Sequence, residues 1–165
     1  MPRLHALVLS AAALALAGGR ATAQEGGHPT LFTASASIAG GSELGLDHGK
    51  PGLGEAEVAA GLESADLGLR GELAATLGFA PDSHVALRPG IRYRLPGMPI
   101  QLRAALDAAD SRGHGFRWRW LLVGVATELR VTSLMGLYAE LDTGAPLNAD
   151  AGLPLLFRAG ASFRF

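Results

Sequence analysis

Hydrolytic chemistry needs a nucleophile, a base and an orienting group within reach of one another, and the sequence offers few places for it. Ser83 and His84 are adjacent, but neighbours on a strand point to opposite faces, so the two do not converge. His48 with Asp47 and Ser42, and His114 with Asp110 and Ser111, fall in polar, glycine-containing stretches, where such residues are ordinary loop constituents. His48, His114 and Asp150 lack the spacing of a metal-binding motif. No Cys is present, which removes disulfides and thiolate sites. These residues point to a chain that is not an enzyme and that requires no cofactor or metal.

The charges that recur at alternate positions are more informative. Glu57, Arg70, Glu72, Arg88, Arg92, Arg94, Arg103, Asp107, Arg117, Arg119, Glu140 and Arg158 stand among apolar or small neighbours. The segment DLGLRGELAATLGF, residues 66 to 79, fixes the period. Leu67, Leu69, Gly71, Leu73, Ala75, Leu77 and Phe79 alternate with Asp66, Gly68, Arg70, Glu72, Ala74, Thr76 and Gly78. A helix would align Val58, Leu62, Ala65, Leu69 and Leu73, yet each of Gly61, Gly68, Gly71 and Gly78 would cost it about 1 kcal/mol. A strand has no such conflict, and it places the apolar residues on one face and the charges on the other.

Repeating that pattern predicts about eight strands: near 30–41, 55–63, 66–79, 84–95, 100–109, 116–128, 131–142 and 154–165. The stretches at 42–54, 110–115 and 143–152 form longer connections. ESAD, PGMP and the region near Leu129 form tight ones, and APDS at 80–83 is a short connection on the long-loop side. An even number of strands with alternating loop lengths suits a closed, antiparallel up-and-down barrel. One region breaks the rhythm. If Trp118, Trp120 and Leu122 share the outer face, Leu121, Val123 and Val125 point inward, unless a bulge resets the phase. A helix through Leu134, Leu137, Tyr138 and Leu141 is the local alternative.

The amino-terminal sequence places Arg3 before an apolar run, then Gly18 and Gly19, then Ala21-Thr22-Ala23. That is the layout of a secretory signal peptide over residues 1–23, too short to span a bilayer, with residues 24–165 forming the barrel domain. Without Arg3 and Arg20, the 14 basic residues fall further below the 15 acidic ones, which argues against nucleic acid as a partner.

Aromatic residues suggest what covers the apolar face. On up-and-down strands Phe79, Phe116 and Trp118 fall near the outer rim, and Phe32, Tyr93, Phe163 and Phe165 near the periplasmic rim. Leu, Ala, Val and Ile lie between. Two aromatic girdles around an aliphatic band are what a bilayer selects, so outer-membrane lipid is the expected surround. The alternative, a soluble β-sandwich binding protein of the periplasm, would share the alternation but need a second layer.

The last residues, RAGASFRF, resemble the carboxy-terminal insertion signal of outer-membrane barrel proteins, with Arg158, Gly160, Phe163 and Phe165 in its positions. With the strand layout, the chain resembles the small OmpA/OmpX-type barrels over residues 24–165. That resemblance implies residence in the bacterial outer membrane and contact with the barrel-insertion machinery during biogenesis. Lipid A deacylases share the barrel size but carry Ser and His two residues apart on a strand, which Ser83 and His84 do not match. An eight-stranded barrel is about filled by its own side chains, so the inward charges predict a salt-bridged plug, with Glu72 near Arg92 and Asp107 near Arg119. A narrow anion-favouring channel along Arg88, Arg92, Arg94 and Arg103 is the rival. The loop at 42–54, with Leu44, Leu46, Lys50 and Pro51, is a candidate for surface interaction, with no ligand implied.

Overall fold

A computed structural model describes residues 30–44, 52–111, 115–149 and 151–165. The expected signal peptide lies outside these residues, as do Leu46, Asp47, His48, Lys50, Pro51, His114 and Asp150.

Each alternating segment forms a strand, in the order β1 (Thr30–Leu44), β2 (Leu53–Ser64), β3 (Leu69–Ala80), β4 (His84–Arg94), β5 (Ile100–Ser111), β6 (Arg117–Arg130), β7 (Met135–Pro146) and β8 (Leu153–Arg164). Every strand pairs with its sequence neighbours, and β8 returns to β1, so that one antiparallel sheet closes into a barrel. Closure leaves no sheet edge, which a wall immersed in hydrocarbon requires. Among the described residues one closed layer forms with no second sheet stacked on it, so they do not make a sandwich.

The usual distribution of polarity is inverted across this wall. Leu73, Ile91 and Val125 are each more than half exposed, whereas Thr76, Arg88, Asp107 and Arg158 are completely buried. Side chains alternate across a strand, so the apolar set covers the outside and the polar set fills the inside. In water the outer surface would be a continuous apolar patch, far larger than a soluble monomer tolerates. Apart from Phe157, which lies within the band, the exposed aromatic residues mark its two ends. Phe79, Phe116 and Trp118 lie toward the end with the longer loops, here the far end, and Tyr93 and Phe165 toward the end that holds β1's start and β8's finish, the near end. At the near end Phe32 and Phe165 pack with ring centroids 6.2 Å apart.

Several details differ from the sequence expectation. The third strand begins at Leu69 and not at 66, because residues 65–68 form the turn from β2. The β6–β7 turn lies at 131–134, not near Leu129, and β7 runs to Pro146. Thr132 makes this possible without Gly or Pro, because its Oγ1 accepts hydrogen bonds from the N–H groups of Leu134 and Met135 at 3.2 and 2.9 Å. Residues 135–141 are strand and not helix, with Tyr138 inward and Leu137 and Leu141 outward. In β6 the phase is reset by a bulge. Asp107 pairs with Trp120 and Ala108 with Trp118, leaving Arg119 as the extra residue. Trp118 therefore faces out while Trp120 and Leu122 face in, and Leu121, Val123 and Val125 join the outer surface.

The turn between β2 and β3 depends on Gly68, whose φ of 62° is unfavourable for other residues. Its carbonyl accepts a hydrogen bond from the Arg94 N–H at 2.8 Å, tying this turn to β4. A ring of strand-to-strand hydrogen bonds resists detergent until heated, so unboiled protein should migrate differently from boiled protein on a detergent gel. One band, unmoved by heating, would contradict closure.

Candidate functional site in the barrel lumen

The lumen is layered. At the far end Leu53, Trp120, Leu122, Ala151 and Leu156 form a buried apolar cluster, joined by fully buried Pro154. Trp120 satisfies its only polar group by donating from Nε1 to the Gly152 carbonyl at 2.9 Å. Arg119 lies over the Trp120 ring, 3.6 Å from its centroid, a cation–π stack on the rim of this cap.

Beneath the cap the inward charges meet. Arg88 donates to both oxygens of Glu55 at 2.5 and 2.7 Å, to Glu57 at 3.0 Å and to Asp107 at 2.5 Å. Arg158 reaches Glu55 at 3.0 Å, Glu57 at 3.1 Å, Asp142 at 3.3 Å and Glu140 at 3.4 Å. Arg103 reaches Glu57 at 3.1 Å and both Glu72 and Glu140 at 3.0 Å. Arg92 contacts Glu72 at 2.8 Å and also Glu140. Arg70 donates to Glu72 at 2.8 Å. The guanidinium fork is what permits this many partners, since five N–H groups leave it in fixed directions.

A smaller layer closes the near end. Arg164 pairs with Glu128 at 2.6 Å and Glu63 at 3.3 Å, while Arg94 meets the same two acids at 3.2 and 3.3 Å. Ser162 Oγ donates to Glu128 at 2.5 Å, and Gln101 Nε2 also donates to it. Glu57, Arg70, Glu72, Arg88, Arg92, Arg94, Arg103, Asp107, Arg119, Glu140 and Arg158 thus all have ion-pair partners. Arg117 does not belong with them. It stands exposed at the start of β6, above the bulge.

Five further charges complete the layers: Glu55, Glu63, Glu128, Asp142 and Arg164. Their signal was available, because each continues the inward row of its strand. Glu128 becomes inward only once the β6 bulge is known. The apolar cap carried no comparable signal, since inward Leu and Trp resemble outward ones in sequence. Space is as restricted as charge. A Cβ on Gly124 would stand 2.1 Å from Asp142 Oδ1, so glycine makes room for that carboxylate.

Asp107 has a special place. The β4–β5 pairing passes from Leu87–Ala108 to Gly90–Ala105, with Arg88 and Pro89 unpaired between them, as expected where proline offers no N–H. The Arg88–Asp107 ion pair crosses that gap. On its other side Asp107 accepts from Arg119 Nε at 2.8 Å, across the β5–β6 bulge. One carboxylate therefore ties together both irregular seams.

Among the described residues, the groups that could do covalent chemistry are not assembled. Ser83 is exposed in the β3–β4 turn, while His84 Nδ1 donates to the Asp82 carbonyl at 3.1 Å. Asp110 Oδ1 is used locally, accepting from the Gly115 N–H at 2.9 Å. The described residues contain no group of three or more side chains able to hold a metal ion.

If Asp107 ties the two seams, Asp107→Ala should lose about 3–5 kcal/mol of stability by leaving buried arginine unpaired. Arg117→Ala, at the exposed rim, should stay within about 0.5 kcal/mol of the parent. Urea unfolding in lipid vesicles, followed by tryptophan fluorescence, measures both. Equal effects would contradict the assignment.

No protein-family model matches the chain, and no curated protein matches its sequence. Solved structures do resemble it in shape. Neisserial surface protein A aligns with a TM-score of 0.54 at 18% identity, over 82% of this chain and 97% of that one. The N-terminal β-barrel domain of Pseudomonas aeruginosa OprF aligns at 0.49 and 14% identity, over 81% and 97%. Ail, the attachment invasion locus protein of Yersinia pestis, aligns at 0.46 and 16%, over 82% and 97%. In fold, the chain is a closed eight-stranded antiparallel β-barrel similar to that of Neisserial surface protein A.

Proposed function

We propose that the chain is exported by the signal peptide at 1–23 and resides in the bacterial outer membrane. There it serves as a sealed scaffold with a structural or surface-interaction role. The near end then faces the periplasm and the far end the exterior. Lipid is the partner of the outer wall. The insertion machinery recognises the terminal strand through Arg158, Gly160, Phe163 and Phe165, of which Phe165 is exposed at the near rim. The far-end loops are the part of the molecule free to meet a surface ligand.

The observation that carries this function is the filling of the lumen. Arginine and carboxylate interlock through its middle and near layers, and apolar side chains cover the far layer. An anion crossing the barrel would have to break several buried ion pairs and displace Trp120, which is completely buried. The channel reading rests on Arg88, Arg92, Arg94 and Arg103 acting as a positive stripe. Each of these already faces at least one carboxylate within 3.3 Å, so the stripe has little charge left to attract an ion.

Planar-bilayer recordings test this function directly. Purified barrel should give no steady, ion-selective openings at moderate voltage. Reproducible anion-selective conductance would overturn the sealed scaffold in favour of the channel.

A further inference from the structure

We propose that the inner face of the barrel's far end carries a binding site for a phosphate group, built by Arg117 and Arg119 of β6 and His84 of β4. Binding there requires no passage through the lumen. That the phosphate arrives from outside the cell rests on the outer-membrane function proposed above.

Register brings the three side chains to one sector. Arg117 pairs with Ala109 on β5, and Ala109 with Ala86 on β4, two residues along the same inward row from His84. Two alanines thus form a low floor between basic walls. Gly78 lies opposite His84, where a Cβ would overlap the imidazole, so glycine lodges the ring against β3. Arg119 turns inward from the bulge to Asp107 and Trp120, and its charge acts on His84.

Positive charge is left over in this sector. The carboxylates that act on His84 are Glu55 and Asp107. Both are engaged, Glu55 by Arg88 and Arg158, and Asp107 by Arg88 and Arg119. Arg117 is exposed and has no ion-pair partner among the described residues. Arg119 Nη2 and His84 Nε2 are buried without a hydrogen-bond partner, a cost that ligand oxygens would remove.

Chemistry narrows the ligand to phosphate. Guanidinium groups donate in fixed forks that suit an oxyanion. His84 adds a requirement of the opposite sense. Its Nδ1 faces the Asp82 carbonyl at 3.1 Å and must carry the proton, since a carbonyl only accepts. Nε2 of the neutral ring is then an acceptor. A ligand that satisfies both needs charged oxygens and a hydroxyl on one centre. Phosphate near neutral pH has both, whereas sulfate lacks the hydroxyl. The rows of Arg117 and His84 face the lumen and not the outer wall, so the phosphate belongs to a soluble ligand and not to a lipid headgroup.

The test is isothermal titration calorimetry of sodium phosphate into barrel purified in dodecyl maltoside, near neutral pH and at constant ionic strength. Phosphate should saturate one site and bind about fivefold more tightly than sulfate, the worth of one neutral hydrogen bond. Arg117→Ala should weaken phosphate by about tenfold, the worth of one charge-assisted bond. His84→Phe should remove the preference over sulfate. Arg130→Ala, which deletes an exposed arginine at the near end, should change neither. A heat-dependent shift on the detergent gel shows that each variant is closed. No saturable heat, binding that survives Arg117→Ala, or equal affinity for sulfate would overturn the site, and silent planar bilayers beside that result would keep the sealed scaffold. In vesicles, phosphatidic acid, whose head is a phosphate monoester, should not compete with inorganic phosphate. Competition would put the phosphate on a lipid and overturn the inward site.

Discussion

Hydrocarbon accepts neither an unpaired peptide group nor an outward charge, and the whole structure follows from that double exclusion. The peptide groups are satisfied by closing the sheet, with β8 returned to β1. The charges are satisfied by turning them inward, where they have only one another. A barrel of eight strands is so narrow that opposite walls touch through their side chains. Arg103 on β5 therefore reaches Glu57 on β2 and Glu140 on β7 across the lumen.

Buried ion pairs seldom add net stability over well-packed apolar residues, because desolvation costs about as much as attraction returns. Their effect here is on specificity. A strand that slipped by one residue would put arginines into lipid and leucines into the lumen, so the charges fix the register of every strand that carries them. They also mend what the backbone leaves open. Pro89 removes a ladder hydrogen bond and Arg119 bulges from the neighbouring seam, and Asp107 bridges both. The apolar cap at the far end performs a separate task, since Trp120 and its neighbours shield the network from the loop side without adding charge.

Much of the wall was legible because period-two alternation is a direct record of two solvents. The alternation within residues 66–79 fixes the phase of β3, and the pairs Glu72–Arg92 and Asp107–Arg119 follow from antiparallel register across the 80–83 and 110–115 connections; they stand 2.8 Å apart. What was hidden depended on contacts distant in sequence. Trp118, Arg119 and Trp120 look like regular alternation, and only pairing with β5 reveals the bulge. The 131–134 turn has no Gly or Pro to mark it, because a threonine hydroxyl takes over the turn's hydrogen bonding. Arg117 carries the same charge and spacing as the lumen arginines but is exposed at the first residue of β6, above the bulge. Sequence period does not record where a wall ends.

The most direct measurement is a spin-label scan along β3 in lipid vesicles, which the absence of native Cys makes straightforward. Single cysteines from Leu69 to Ala80 would be labelled, and their access to oxygen and to a water-soluble nickel chelate compared. Labels at Leu69, Gly71, Leu73, Ala75 and Leu77 should be open to oxygen and closed to nickel. Labels at Glu72, Ala74 and Thr76 should be closed to both. Nickel access at Leu73 and Ala75, or access without a period of two, would contradict a wall set between hydrocarbon and a packed, charged lumen.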